Sequence, residues 1–250
     1  MTEAFVKRAL EAAGKTNSRI VLAFDPVFNP YKIKLREERS EERLKVRTRL
    51  QNLLTELDGL VAGVKIGLPA IFGLGLDQIE EIIKSSRKSF FFICDSKMAD
   101  IGHVNRLVAE QVFETGFDAL IVHAAIGNRG AIDQVVELAN DKKKGVIGLC
   151  AMSHPGAAEH LNRHLEDLLR IAIAAEVHGF VLPATYPDLI ARAKKTQPSK
   201  LVFSPGVGVQ GAPFGSALKA GADFEIIGRS IAQAPSPREK AREVLEAMRK

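Results

Sequence analysis

The chain has 250 residues, 46% of them hydrophobic, with two cysteines and a formal net charge of +5. That length suffices for one large core, no apolar stretch reaches membrane-spanning length, and two cysteines cannot staple a disulfide framework. The positive balance is local, because Lys32, Lys34, Arg36, Arg39, Arg43, Lys45, Arg47 and Arg49 face only Glu37, Glu38, Glu41 and Glu42 in one segment. Interleaved signs at helical spacing describe a solvated, salt-bridged helix face. With no Trp and only Tyr31 and Tyr186, no stacking platform for bases is evident, and nucleic acid is not expected as a partner.

The start, Met1-Thr2-Glu3-Ala4-Phe5-Val6-Lys7-Arg8, lacks the apolar centre of a secretory signal. A soluble, cytoplasmic protein with no membrane partner is the expectation. Eight β-rich runs then follow in order, at 19–25, 63–67, 90–97, 119–124, 145–152, 179–184, 201–207 and 224–229. They are continuously apolar rather than alternating, the pattern of parallel strands covered on both faces. The stretches between them carry helical periodicity, as in Leu44, Val46, Leu50, Leu53, Leu54 and Leu57, or Leu161, Leu165, Leu168, Leu169 and Ile171. The class is therefore α/β, with a single (β/α)8 TIM barrel over 1–250 predicted and an open doubly wound sheet as the alternative. Cys94 and Cys150 each lie inside an apolar run, as buried free thiols of a reducing compartment do.

Polar residues gather at the strand ends: Asp25 on the first, Lys65 in the second, Asp95 and Lys97 on the third, His123 in the fourth, Ser153 after the fifth and Arg229 on the eighth. Barrel enzymes place their chemistry at the C-terminal ends of strands. Taking a charge out of water costs several kcal/mol unless it is paired, so Asp95 and Lys97, two apart and on one strand face, require a reason. Asp100 lies beyond the turn, free to aim elsewhere, even into a neighbouring subunit. The plainer alternative is an ordinary strand end turning into a helix, with Asp100 as N-cap and the Asp95–Lys97 pair solvated.

Phosphate binding is legible at the other side of the barrel. Ser204-Pro205-Gly206-Val207-Gly208-Val209-Gln210-Gly211 follows the seventh run and Gly228-Arg229-Ser230 closes the eighth, where barrel enzymes hold phosphate against backbone amides. Gln210 can donate an amide hydrogen and Arg229 two parallel hydrogen bonds. His123 reads as a hydrogen-bonded barrel residue, and His154, His160 and His164 lack carboxylate spacing for zinc, so no metal is assigned. No cofactor motif is found.

These stretches resemble the orotidine 5′-monophosphate decarboxylase family, most closely its archaeal branch. The most specific are Val64-Lys65-Ile66-Gly67, Asp95-Ser96-Lys97-Met98-Ala99-Asp100-Ile101, Met152-Ser153-His154-Pro155-Gly156 and the glycine-rich run ending at Gly211. The resemblance implies a cofactor-free homodimer that converts orotidine 5′-monophosphate to UMP and carbon dioxide. It implies a charge network of Lys65, Asp95 and Lys97 completed by Asp100 of the other subunit, with Lys97 protonating C6 and Asp95 crowding the departing carboxylate. Asp25 and Lys65 would hold ribose hydroxyls, Ile101 would line an apolar pocket, and Ser153 would bond the pyrimidine edge. Pro205, Gly206, Val207, Gly208, Val209 and Gln210, with Gly228 and Arg229, would surround the phosphate.

Two departures stand out. Val104 takes the place of a family threonine that contacts ligand across the dimer, and the basic segment 30–49 is longer than the compact archaeal pattern, which reads as an extended first helix. Two other readings remain open at this point. One is a magnesium-dependent sugar-phosphate enzyme of the same superfamily, and the other a catalytically silent nucleotide-binding barrel.

Overall fold

The computed structural model describes residues 3–249. Met1 and Thr2 of the start read above, and Lys250 at the end of the expected domain, lie outside the described residues. The strands are β1 Ile20–Phe24, β2 Gly63–Gly67, β3 Phe91–Met98, β4 Ala119–His123, β5 Gly145–Leu149, β6 Gly179–Val181, β7 Leu201–Ser204 and β8 Phe224–Ile227. They pair in sequence order, and β8 returns to β1, so the sheet is a closed barrel and not the open alternative. The helices are α1 Glu3–Thr16, α2 Arg36–Leu57, α3 Leu68–Leu74, α4 Leu76–Ser86, α5 Gly102–Glu114, α6 Asp133–Asp141, α7 Leu165–Ala174, α8 Pro187–Thr196, α9 Ser216–Lys219, α10 Arg229–Ala232 and α11 Pro237–Arg249. No helix among the described residues is long and apolar enough to cross a membrane.

Alternation sorts the strand residues into two cores. Val21, Ala23, Phe91, Ile93, Ala119, Ile121, Ile147, Leu149, Phe203, Phe224 and Ile226 pack inside the barrel, while Leu22, Val64, Ile66, Phe92 and Leu120 pack against the surrounding helices. Both faces are buried, so each strand reads as an unbroken apolar run.

Four runs end two or three residues earlier than the sequence indicates: 145–152 at Leu149, 179–184 at Val181, 201–207 at Ser204 and 224–229 at Ile227. Several residues beyond these ends are apolar because they are buried without continuing a strand, as Cys150, Ala151, Leu182 and Ala184 are. Apolarity marks burial, and only hydrogen bonding marks a strand. Arg229 consequently opens α10 rather than ending β8.

The basic segment also differs in detail. Pro30–Lys32 forms a short 3-10 turn before α2 begins at Arg36. Leu50, Leu53, Leu54 and Leu57 are buried as expected, but Leu44 is exposed. Glu42–Lys45 is the one ion pair within α2 among the described residues. Three other cations tie the helix outward: Arg43 Nε donates to Gly73 O at 2.9 Å, Arg47 pairs with Glu81 at 2.6 Å, and Arg49 donates to Ala232 O at 2.9 Å.

The N-terminal end of the barrel is closed by α1. Phe5 enters between Phe91 and Phe203, each with ring centroid 6.2 Å away. A Cβ at Gly145 would lie 2.3 Å from the Phe5 ring, so only glycine leaves room for this plug. Arg8 pairs with the buried Asp118 at 2.8 Å, and Asp118 also accepts the Phe92 amide at 2.9 Å. Truncating Phe5 to alanine leaves a cavity beneath the barrel. The expected cost is about 3–5 kcal/mol, a fall in Tm on the order of 10 °C. A thermal melt of Phe5→Ala within 2 °C or so of wild type would show that the plug is dispensable.

Candidate active site

At the opposite end, the inward rows of β1, β2 and β3 stop being apolar. Ala23 and Ile93 lie in register with Lys65, one layer below Asp25 and Asp95. The long lysine stem thus rises through an apolar layer and delivers its ammonium between two short carboxylates. Lys65 Nζ lies 3.1 Å from Asp25 Oδ2 and 2.7 Å from Asp95 Oδ2, and Lys97 Nζ lies 2.7 Å from Asp95 Oδ1. The row reads Asp25, Lys65, Asp95, Lys97 with alternating sign. Gly67 makes it possible, because a Cβ there would stand 1.7 Å from Asp25 Oδ1.

Lys65 and Asp95 are buried, whereas Lys97 and Asp25 reach toward solvent. Burial alone would lower the pKa of Lys65, but Asp95 and Asp25 outweigh it and hold the ammonium above its ordinary value. Burial alone would raise Asp95, but Lys65 and Lys97 outweigh it and hold the carboxyl below the usual range. Each charge is kept by its neighbours.

Lys97 reaches Asp95 by an irregular route. Between Cys94 and Met98 the β3–β4 register shifts, and Lys97 takes φ +44°, a left-handed conformation uncommon for a non-glycine residue. Ser96 Oγ donates to Ile121 O at 3.1 Å across the bulge. On β4, burial and the Lys97 ammonium hold the His123 imidazole below its ordinary pKa, and His123 Nδ1 accepts the Ala125 amide at 3.3 Å. One ring nitrogen of His123 is thus bonded within the fold, and no group of metal-ligating side chains is found among the described residues.

A cavity of about 700 Å³ opens over this row. Asp25, Lys65, Asp95 and Lys97 line one side; Ser153, Pro205, Gly206, Val207, Val209, Gln210, Gly228 and Arg229 line the other. Ser153 Oγ donates to Gln210 Oε1 at 3.2 Å, bringing together two residues 57 positions apart. Gly208 opens the turn Gly208–Gln210 behind them and does not line the cavity.

Asp100 and Ile101 stand outside the cavity of this chain. Ile101, and not Asp100, is the N-cap of α5. The Asp100 carboxylate instead accepts the Ile101 amide at 2.7 Å, and the buried Asn105 side chain grips both backbone groups of Asp100. Val104 is half-buried in the first turn of α5. Asp95 of the pair on β3 is buried against Lys65, which sets aside the reading of that motif as a solvated pair.

Some residues in or behind the cavity wall carry no motif that would single them out. Asn162 braces the loop before Ser153, accepting the Met152 amide and donating to the Met152 carbonyl, each at 3.0 Å. Glu42, Lys45 and Arg49 of α2 also line the cavity. Their interleaved charges read equally well as a solvated helix face, and only the docking of α2 beside α10 brings them to the mouth.

A closed barrel with a buried row of alternating charges at the C-terminal ends of its strands defines a (β/α)8-barrel enzyme. Residues 18–244 match the Orotidine 5′-phosphate decarboxylase / HUMPS family, and the chain belongs to that family. It is 41% identical over 187 residues to the orotidine 5′-phosphate decarboxylase of Methanosarcina mazei, covering 74% of this chain and 83% of that one. Over 236 residues it is 35% identical to that of Aeropyrum pernix, covering 94% and 90%. Among solved structures, the orotidine 5′-monophosphate decarboxylase of Methanocaldococcus jannaschii complexed with inhibitor BMP superposes with TM-score 0.79 at 28% identity, covering 93% of this chain and 99% of that chain.

The opposed pKa shifts fix how stability depends on pH. The Asp95 carboxyl is held low, so its stabilising contribution is present above its unfolded value of ~3.9 and is lost as pH falls through the folded value. Asp95→Asn should be destabilised by about 3 kcal/mol at pH 7, where Lys65 and Lys97 lose their shared anion. The deficit should shrink progressively below about pH 4, where the unfolded wild-type chain takes up a proton that folded Asp95 still resists. Denaturant melts of both proteins at pH 7 and pH 3 measure it, and an unchanged deficit would mean that the charge of Asp95 is not what stabilises the fold.

Proposed function

We propose that this chain decarboxylates orotidine 5′-monophosphate to UMP and carbon dioxide, as a cytoplasmic enzyme of pyrimidine synthesis whose single barrel is the catalytic domain. The observation that carries the reading is the row Asp25, Lys65, Asp95, Lys97 at one wall of the cavity, opposite the Gln210 and Arg229 wall. The names of the relatives at 35–41% identity support the pyrimidine substrate over the sugar phosphates.

The chemistry follows from charge. The bond between C6 and its carboxylate breaks, carbon dioxide leaves, and the electron pair stays in an in-plane orbital that the ring π-system does not absorb. An ammonium beside C6 stabilises that pair as it develops and then gives it a proton. Lys97 takes this role because it is the cation at the open end of the row, while Lys65 is locked between two carboxylates. Asp95 stands where it crowds the substrate carboxylate, a repulsion relieved as carbon dioxide departs. Asp25 and Lys65 hold the ribose, Ser153 bonds the pyrimidine edge, and the backbone from Pro205 to Gln210 with Gly228 and Arg229 grips the phosphate. Binding energy from that remote group holds the ring against the charges. In this scheme the side chains supply all the charge, and no metal or cofactor takes part.

Decarboxylation of orotidine 5′-monophosphate followed by absorbance in the presence of a chelator tests the reading directly. Full activity is expected, and strict dependence on magnesium would favour the sugar-phosphate enzymes. Lys97→Ala should lower kcat by more than ~10⁴-fold, because the residue serves as acid and as carbanion stabiliser. A variant retaining a tenth of wild-type kcat would remove Lys97 from the mechanism.

The site also takes part of its wall from a second copy of the chain, as a homodimer. Asp100 is exposed and outside the row, and Ile101 and Leu107 beside it are 57% and 58% exposed. Inactive Lys97→Ala and Asp100→Asn proteins, unfolded together and refolded in equal amounts, test this. Half the dimers should be mixed, each with one doubly altered and one unaltered site, so about a quarter of all sites regain activity. Parental activity after verified mixing would mean that each Asp100 serves its own chain.

A further inference from the structure

The cavity runs past Arg229 to the inner face of α2, where Lys45 and Arg49 line it beside Glu42 and Gln233. The decarboxylation scheme uses none of these four residues. Lys45, Arg49 and Ala232 also wall a second hollow of about 590 Å³, bounded further out by Thr48, Asn52 and Pro237. The two cations therefore stand on a ridge between the mouth of the active site and an outer trough.

Charge at this end exceeds what one phosphoryl group requires. Arg229, Lys45 and Arg49 are opposed in this lobe by Glu42 alone, which pairs with Lys45. Arg49 spends one N–H on the Ala232 carbonyl, which fixes its guanidinium at the cavity edge with further donors facing outward from that bond. A monophosphate held by Gln210, Arg229 and loop amides leaves Lys45 and Arg49 for a second anionic group.

We propose that Lys45 and Arg49 form a second anion subsite, through which the mouth binds a pyrimidine nucleoside 5′-diphosphate in competition with the monophosphate substrate. The inference rests on the monophosphate site proposed above. The base lies in the barrel, the α-phosphoryl group at Gln210 and Arg229, and the β-phosphoryl group over α2. A diphosphate made by phosphorylating the product then occupies the enzyme that supplies it, a form of end-product inhibition.

Inhibition constants for UMP and UDP, measured against orotidine 5′-monophosphate turnover with chelator present and ionic strength fixed, test the subsite. UDP should bind wild type about tenfold tighter than UMP, since the added contacts are charge-assisted but partly solvated. That advantage should shrink as salt is raised and vanish in the Lys45→Ala, Arg49→Ala double variant. Both side chains are exposed, so the variant, which loses the Arg49 bond to Ala232 and the Lys45–Glu42 pair, should still melt within about 4 °C of wild type. Glu42→Gln, which frees Lys45, should widen the preference for UDP a few-fold. A wild-type enzyme that binds UDP no better than UMP, or a preference that survives the double substitution, overturns the subsite. If UMP itself does not compete, the monophosphate site is wrong and the subsite falls with it.

Discussion

The buried ammonium of Lys65 is the interaction on which the C-terminal end of this barrel depends. A lysine at that depth is tolerated only because Asp25 and Asp95 meet it from both sides, and neither carboxylate could be so placed without the other features of the barrel. The register sets Lys65 one layer below them, Gly67 vacates the space that the Asp25 carboxylate fills, and Ala23 and Ile93 keep water from the stem. Removing any one charge strands the others, since the cost of an unpaired buried ion exceeds the gain from any single bridge. The row is therefore rigid for electrostatic reasons before any substrate arrives, which is what preorganisation requires.

Stability and chemistry are divided between the two ends. Phe5, Phe91, Phe203 and Phe224 form a stacked aromatic floor, with the last pair 5.1 Å apart and nearly parallel. Arg8 and Asp118 close that floor with a pair that also holds a strand amide. Such a floor contributes the burial that offsets the desolvation of the charge row and a strained Lys97 above it. The same alternation that points Phe91 and Ile93 inward points Asp95 inward, so one strand carries part of the floor, the apolar layer and the charge row.

The barrel was legible because its strands are buried on both faces, which leaves a distinct sequence pattern, and because eight such runs fit 250 residues. The charge row was legible for the opposite reason: Lys65 and Asp95 interrupt apolar runs where ions are costly. What escaped the sequence depends on contacts between distant segments. Strand ends were overextended where Cys150, Ala151 and Leu182 are buried without continuing a strand. Asn162 braces Met152 through bonds that no local pattern announces. The charges of α2 follow a helical spacing that suits solvent equally well, and it is contacts such as Arg43 on Gly73, Arg47 on Glu81 and Arg49 on Ala232 that reveal how its charged face is docked.

The geometry of Lys97 explains how a row built for rigidity can still act. A regular strand would carry β4 in register along β3 to the end, but the bulge after Cys94 inserts extra residues and turns Lys97 into a left-handed conformation. Lys65 is saturated by two anions, whereas Lys97 has Asp95 on one side and the open cavity on the other. Its ammonium is thus held by one bond in a fixed place while keeping donors free toward a ligand. The strain of that conformation is affordable only because Asp95, anchored by Lys65, fixes the position of the tip. Asp100, displaced from the row and held by Asn105, lies just beyond the same bulge. The irregularity that frees Lys97 within the chain therefore also turns the next carboxylate outward, away from the row and toward the exposed surface.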